Sequence, residues 1–337
     1  MPPEIAVVIL NWNGRELLER FLPSVVKHSR QAAVYVIDNA SADDSRDFLK
    51  QHYPKIEIIA LEANQGYAGG YNLGLQEVSE PFQILLNSDV EVSEGWLEPL
   101  LQRFKADPQL AALQPKILDL KEPGQFEYAG AAGGFIDAWA YPFCRGRLFD
   151  QLERDQAQYN EYRECFWATG ACLVVRQEAF QAVKGFDVSL FAHMEEIDLC
   201  WRLHVKGFKV ACEPASEVYH LGGATLQLSP QKTFLNFRNS LIVMYKNLPE
   251  TEAFVKILGR LFLDGIAGLK FIAEGKIKHC LAILRAHGDF YRRLGDLQRN
   301  KRGMKLKALS SLPGVYPRLL IWQFFARGKK KFQDLKW

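Results

Sequence analysis

AVVILNWNGRELLERFLPSVVKHSRQAAVYVIDN, residues 6–39, is the stretch from which the fold is read. Its ends are two compact apolar runs, Ala6–Asn11 and Ala33–Asn39, rich in branched residues and too short for globular helices. Between them, Leu17, Leu18, Phe21, Leu22, Val25 and Val26 share one helical face, with Pro23 as an expected kink. The alternation continues. IEIIAL (56–61) and FQILLNSD (82–89) read as strands, and SADDSRDFLKQHY reads as a helix with Ser41 as its N-cap. Strands alternating with helices imply an α/β protein with a mostly parallel central sheet flanked by helices.

In such sheets, ligands collect beyond the carboxyl ends of the strands. Asn11 and Asn13 follow the first strand, Asp38 and Asn39 the second, Asn64 the third, and Asn87 and Asp89 the fourth. Each alone is as well explained as a turn residue. Four groups at one edge point to a binding site. Asp89 is a hard oxygen ligand suited to Mg²⁺ or Mn²⁺, and Asp38 can accept from a base or ribose. The loop NQGYAGGYNLG (64–74) lacks the lysine and hydroxyl of a Walker A loop, and NWNG is not the dinucleotide fingerprint. Glycines such as Gly66 still allow close backbone approach to a ligand.

Composition divides the chain. Residues 240–337 carry 20 Lys and Arg against 7 Asp and Glu, leaving 22 against 32 in residues 1–239. We therefore expect two regions, 1–240 and a basic, mainly helical 241–337. The tail has no zinc-finger spacing, which argues against nucleic acid and for an anionic membrane surface. AFVKILGRLFLDGIAGLKFIAEG (253–275) is nearly membrane-like, but Lys256, Arg260, Asp264 and Lys270 interrupt it, which excludes a transmembrane helix. Near the end, Trp322, Phe324 and Phe325 stand beside Lys329, Lys330 and Lys331, as either a headgroup-layer segment or a helix packed on the domain. Six cysteines without CxxC spacing fit reduced core thiols. With no basic leader before the first strand, the expected location is cytoplasmic or peripheral on the inner membrane face.

The middle, 121–150, lacks a clean period and reads as loops or short strands over the site. Arg145 and Arg147 there read first as a solvated hairpin, second as contacts to acceptor or phosphate. VACEP and SEVYHLGG read as a strand-like stretch and a strand ending at His220. FAHMEEIDLCWR (191–202) places Glu195, Glu196 and Asp198 at the start of a helix ending near Gly207. Crowded carboxylates raise one another's pKa, and the three read as surface solubility, metal binding or proton transfer. Asp198 and Arg202, four apart, pair on one helix face.

Together VVILNWNG, VIDNASADDS, NQGYAGGYNLG, LLNSDVEV, TGACLVV, GFD, FAHMEEIDLCWR and VYHLGG make the chain resemble family 2 glycosyltransferases of GT-A fold, in their rhamnosyltransferase-like branch, over about Ile5–Lys246. The resemblance implies a nucleotide diphospho-sugar donor and a glycan or lipid-linked acceptor. It also implies an inverting mechanism and a place in cell-surface polysaccharide synthesis. It puts Asn11 in the nucleotide site and Asp38 on the base. Asp89 takes the last position of the metal motif DxD, and Asn87 stands where its first acid often lies. His220 completes the metal site. Glu196 stands where the base, usually Asp, is found, with Glu195 holding the acceptor or tuning Glu196. The acceptor enters near Trp167–Gly170, and the rhamnosyl-like branch points to a deoxythymidine diphosphate sugar. Two other readings stand beside this one: a nucleotidyltransferase on the same sheet, and a nucleotide-sugar-binding scaffold without activity.

Overall fold

The computed structural model describes residues 3–222 and 229–337. Gly223, the last residue of VYHLGG, lies outside them. The chain opens as the alternation requires: β1 (Ile5–Asn11), α1 (Arg15–His28), β2 (Ala33–Asp38), α2 (Ser45–His52), β3 (Glu57–Ala60), α3 (Gly66–Gly74) and β4 (Phe82–Leu86). These strands pair in parallel, in the order β3, β2, β1, β4, with Asn11 level with Asp38. α1 runs through Pro23 without ending. Gly74 brings α3 against the sheet, since a Cβ there would meet Ile37 Cδ1 at 2.2 Å.

Ser41 does not cap α2, as the sequence suggests. The helix starts at Ser45, and the Ser41 hydroxyl instead accepts from Asn11 Nδ2 (3.1 Å) and the Asn13 backbone N–H (3.0 Å). Residues 39–44 thereby become part of the strand-end loops rather than of the helix.

The second half of the sheet is mixed. After β5 (Val90–Val92), α4 (Leu97–Ala106) and β6 (Leu110–Asp119), the chain makes β7 (Gly134–Asp137), β8 (Pro142–Cys144), β9 (Arg147–Leu148), β10 (Gln151–Leu152), β11 (Arg163–Glu164) and β12 (Cys172–Arg176). β12 inserts antiparallel between β4 and β6. α5 (Gln177–Ala182) and α6 (Glu195–Lys206) lead to β13 (Lys209–His220), one strand with a register shift between Glu213 and Glu217 where the sequence suggested two pieces. Pro214 stands at that irregularity, where a missing N–H costs the ladder least.

Of the loops or short strands expected in the middle, the structure has short strands, joined in a second sheet, β10-β9-β8-β7-β14, with β14 (Val315–Tyr316) contributed by the tail. Arg145 and Arg147 are buried within it, not solvated. Arg145 Nε donates to Ala132 O (2.8 Å), and Arg147 Nη1 donates to Phe149 O (2.9 Å). A short-stranded insertion leaves carbonyls that no ladder satisfies, and these guanidiniums answer some of them.

α7 (Pro230–Asn247), α8 (Glu250–Ala273) and α9 (Ile277–Lys301) form the helical region, and α7 spans residue 240. Beyond α9 the chain returns to the second sheet. Leu320 N–H donates to buried Asp137 Oδ2 (2.8 Å), and Phe332 packs between Phe135, Phe143 and Tyr159. Phe324 is buried against Phe149 with Lys330 over its ring, whereas Trp322 and Phe325 remain exposed. All six cysteines are free thiols, five of them buried.

Candidate active site

Three constellations meet the carboxyl ends of the parallel strands or lie on the loops facing them. In the first, Asp38 is fully buried at the end of β2 and faces Arg46 Nε at 3.4 Å. Asn13, at φ 50°, accepts the Ala42 N–H through Oδ1 (2.7 Å). Asn11 is buried beside Asp38, and its Oδ1 has no hydrogen-bond partner. Asn39 Nδ2 donates to Asn64 Oδ1 and Gly66 O, each at 3.1 Å, and Asn64 Oδ1 accepts the Gly66 N–H at 2.8 Å. This ties the β2 and β3 loops together. Gly66 has φ 68°, and a Cβ there would meet the Phe191 ring at 2.9 Å, so the glycine loop touches the turn before α6.

The second constellation follows from strand pairing. β5 runs antiparallel to β13 with Val90 level with His220, which sets Asp89 beside the imidazole. His220 Nε2 lies 3.1 Å from Asp89 Oδ1, and Nδ1 lies 3.3 Å from Glu127 Oε1. Burial disfavours the imidazolium, but the two carboxylates outweigh it, and the pKa is pushed up to about 10. Asn87 is half-buried one turn before Asp89. Among the described residues, no three acid, histidine or cysteine side chains converge as a complete metal cage. Asp89 and, once an incoming cation displaces its Nε2 proton, His220 would nevertheless suit Mg²⁺ or Mn²⁺, which take their remaining oxygens from substrate phosphates and water. Glu127 would then orient the imidazole from behind.

The third is the acid turn. Phe191, His193 and Met194 all have positive φ (64°, 69° and 72°), a conformation that costs each of these bulky residues free energy. α7 stabilises it: Asn239 Nδ2 donates to Leu190 O (2.9 Å), Ala192 O (2.8 Å) and His193 O (2.8 Å). Glu195 and Glu196 occupy the first turn of α6 just after the strained residues. Each leaves its Oε2 buried and unpartnered. Burial pushes the Glu196 pKa up to about 7; burial and the charge of Glu196 push Glu195 well above the carboxylate range. Asp198 behaves oppositely. Although burial alone would raise it, Arg202 (2.8 Å), Lys246 (3.0 Å) and Asn247 (2.8 Å) pull it down to about 2. The pairing of Asp198 with Arg202 expected from their spacing is present, and Lys246 extends it to α7.

The family profile described as Glycosyl transferase family 2 matches residues 6–183, more than half of the sequence. The chain belongs to glycosyl transferase family 2. Among the relatives of this transferase is the N-acetylglucosaminyl-diphospho-decaprenol L-rhamnosyltransferase of Mycobacterium tuberculosis, 29% identical over 65% of this chain and 76% of that protein. Another is a low-salt glycan biosynthesis hexosyltransferase, Agl10, of Haloferax volcanii, 22% identical over 89% of this chain and 95% of that one. Among solved structures, S. aureus TarS 1-349 in complex with UDP-GlcNAc superposes with a TM-score of 0.56 at 14% identity, over 89% of this chain and 84% of that one. The mannosyltransferase PcManGT of Pyrobaculum calidifontis, in complex with GDP-Man and Mn²⁺, gives 0.53 at 11% identity, over 86% and 88%. These structural likenesses bear on the GT-A fold, and family membership identifies a transferase that uses nucleotide sugars.

Two residues of the transferase's site were not apparent in the sequence. Glu127 sits in the glycine- and aromatic-rich middle, where no period marks it. Asn239, with Arg238, lies inside the apolar run of α7. A polar pair interrupting FLNFRNSLIVMY was the one available signal.

Proposed function

We propose that the transferase inverts the anomeric carbon as it moves a hexosyl or deoxyhexosyl unit from a nucleoside diphospho-sugar to an acceptor hydroxyl, with Glu196 as base. The observation that carries this is Glu196 in the first turn of α6, its Oε2 buried without a hydrogen-bond partner, just after a positive-φ turn that packs against the donor-side glycine loop. Desolvation pushes its pKa up to about 7, toward the range that suits a general base at neutral pH. The acceptor oxygen forms its bond to the anomeric carbon as the bond to the diphosphate breaks, and its proton passes to Glu196. The leaving diphosphate needs charge stabilisation rather than protonation, so one base suffices. Asp89 and His220 would hold Mg²⁺ or Mn²⁺, which when bound supplies positive charge against the diphosphate. Asn87 in place of an acid leaves that ion one protein charge fewer.

Asp38 and Asn11 would meet the nucleoside, with Asn13, Asn64 and Gly66 shaping its loops. Trp167 and Thr169 are buried, and Tyr67 Oη donates to Gly170 O (2.9 Å), so an acceptor approaching there would meet chiefly the half-buried Gly170. The mycobacterial relative's name favours a deoxyhexose as the transferred sugar and a lipid-linked diphosphate glycan as acceptor; the rhamnosyltransferase-like resemblance adds a deoxythymidine diphosphate carrier and a place in cell-surface polysaccharide synthesis. We place residues 1–240 as the transfer region and 241–337 as the basic region that meets an anionic inner membrane face. Among the described residues, no helix is long and apolar enough to cross a membrane.

Incubation with a panel of nucleotide sugars, lipid-linked glycans and Mg²⁺ or Mn²⁺ tests the reading. Nucleoside diphosphate release that chelation abolishes is expected. Pyrophosphate release would favour a nucleotidyltransferase. Donor binding without any turnover across the panel would favour a scaffold.

A further inference from the structure

α8 is built inside out. Its outer face carries Phe254, Val255, Leu258, Leu261, Phe262, Ile266, Leu269 and Ile272, each between 45% and 70% exposed. At 100° per residue they fill one continuous arc, and from Phe254 to Leu269 the face runs about 22 Å. No exposed charge interrupts that span. Within that span the charges that break the hydropathy, Lys256, Arg260 and Asp264, point inward. Arg260 Nε meets Asp264 Oδ1 at 3.2 Å, and Asp264 Oδ2 meets His287 Nε2 at 3.1 Å. Arg260 Nη2 donates to Ser240 Oγ (3.0 Å), and Lys256 Nζ donates to Ala138 O. A helix on a soluble surface normally does the reverse.

Beyond this face the surface turns basic. Lys270, Lys276, Lys278 and Arg285 surround the α8–α9 turn against Glu274 alone, and Ile277, Leu281 and Leu284 extend the apolar surface along α9. A broad apolar face with long cationic side chains at its α9 end matches the interfacial layer of an anionic bilayer, apolar to the acyl boundary and basic to the phosphates. Two copies docked through it with their α8–α9 turns side by side would bring like charges together.

We propose that the outer face of α8, with the basic turn into α9, seats the transferase in the headgroup layer of an anionic membrane. It lies in the plane rather than crossing. This rests on the reading that the transferase works at a membrane, and it assigns the surface to α8 rather than to the tail end. There, Phe324 is buried and Lys330 is drawn back over its ring.

Sedimentation with vesicles of phosphatidylcholine alone, or with a quarter phosphatidylglycerol, tests it on the full chain. The protein is expected to pellet at least fivefold more with anionic vesicles. Leu258→Ser with Phe262→Ser should weaken binding at least tenfold at an unchanged melting temperature, since both positions are exposed. Lys276→Gln with Lys278→Gln should lose the preference for anionic lipid, and Trp322→Ser with Phe325→Ser should bind within twofold of wild type. Wild-type binding that survives both α8–α9 double substitutions overturns this docking face and leaves the membrane reading standing. A wild type that binds neither vesicle overturns both. A dimer in solution that the Leu258/Phe262 substitution turns to monomer, without vesicle binding, assigns the face to a second copy instead.

Discussion

Glu195 and Glu196 are adjacent, yet the fold gives them different work. Both are raised by burial, but Glu196 at about 7 lies within reach of neutral pH, whereas Glu195 also carries its neighbour's charge. The expected kcat/KM profile therefore climbs with unit slope in pH up to about 7 and levels above it, measured with saturating metal. A carboxyl whose pKa is raised on folding favours the folded state below its unfolded pKa and loses that contribution as pH rises through the folded value. For Glu196 the window runs from 4.5 to about 7. Glu196→Gln should thus melt higher than wild type at pH 8, by at most about 3 kcal/mol of stability, and the difference should vanish near pH 4.5. Equal melting points at pH 8 would contradict a Glu196 carboxyl raised by desolvation. Glu127 makes a separate prediction. If it orients His220, Glu127→Gln should weaken Mn²⁺ binding by about 10–100-fold in calorimetry with nucleoside diphosphate present.

At the scale of elements, α7 is the brace of the acid turn. Asn239 bonds three carbonyls of the 190–193 turn, and Lys246 and Asn247 hold Asp198 from the same helix. Asn239→Leu removes donors from buried carbonyls and should cost about 1–3 kcal/mol by denaturant unfolding. It should lower kcat more than it alters donor KM, because the turn it holds presents the base. Asp198→Asn leaves Arg202 and Lys246 short of a buried partner, and a loss of about 3–5 kcal/mol is expected. Because the Asp198 pKa is depressed on folding, its contribution is present above about pH 4 and lost as pH falls toward 2. These elements also mark how far the sequence could be read. The parallel half of the sheet was legible, since β1, β2 and β4 are largely buried apolar runs bounded by polar turns, and β3 is a short, half-exposed edge strand beside them. The Asp198–Arg202 pair was legible because its partners lie on one helix. Asn239 and Glu127 were not, because their partners lie about 50 and 90 residues away along the chain. Ser41 misled because a hydroxyl before acids reads as a cap, while the site loop had a stronger use for it. Arg145 and Arg147 misled because burial by loop carbonyls leaves no period.

On the scale of the whole molecule, the tail straps the second sheet. β14 extends that sheet beside β7, and Phe332 and Leu335 bury themselves where the insertion supplies Phe135, Phe143 and Tyr159. Phe332→Ala should cost about 3–5 kcal/mol, read as a lower melting temperature. Deletion from residue 319 would strip this packing along with any surface role, which is why surface substitutions are the better probe of membrane binding. The proposed assembly joins a donor site at the strand ends, a metal pair, Asp89 and His220, at β5 and β13, and a base, Glu196, set by α6 and α7. Single-turnover transfer by Glu196→Gln, run beside a donor-binding titration on the same protein, tests that assembly most directly. The account predicts turnover lower by about 10²–10⁴ with donor affinity within twofold of wild type. Transfer at the wild-type rate would contradict it.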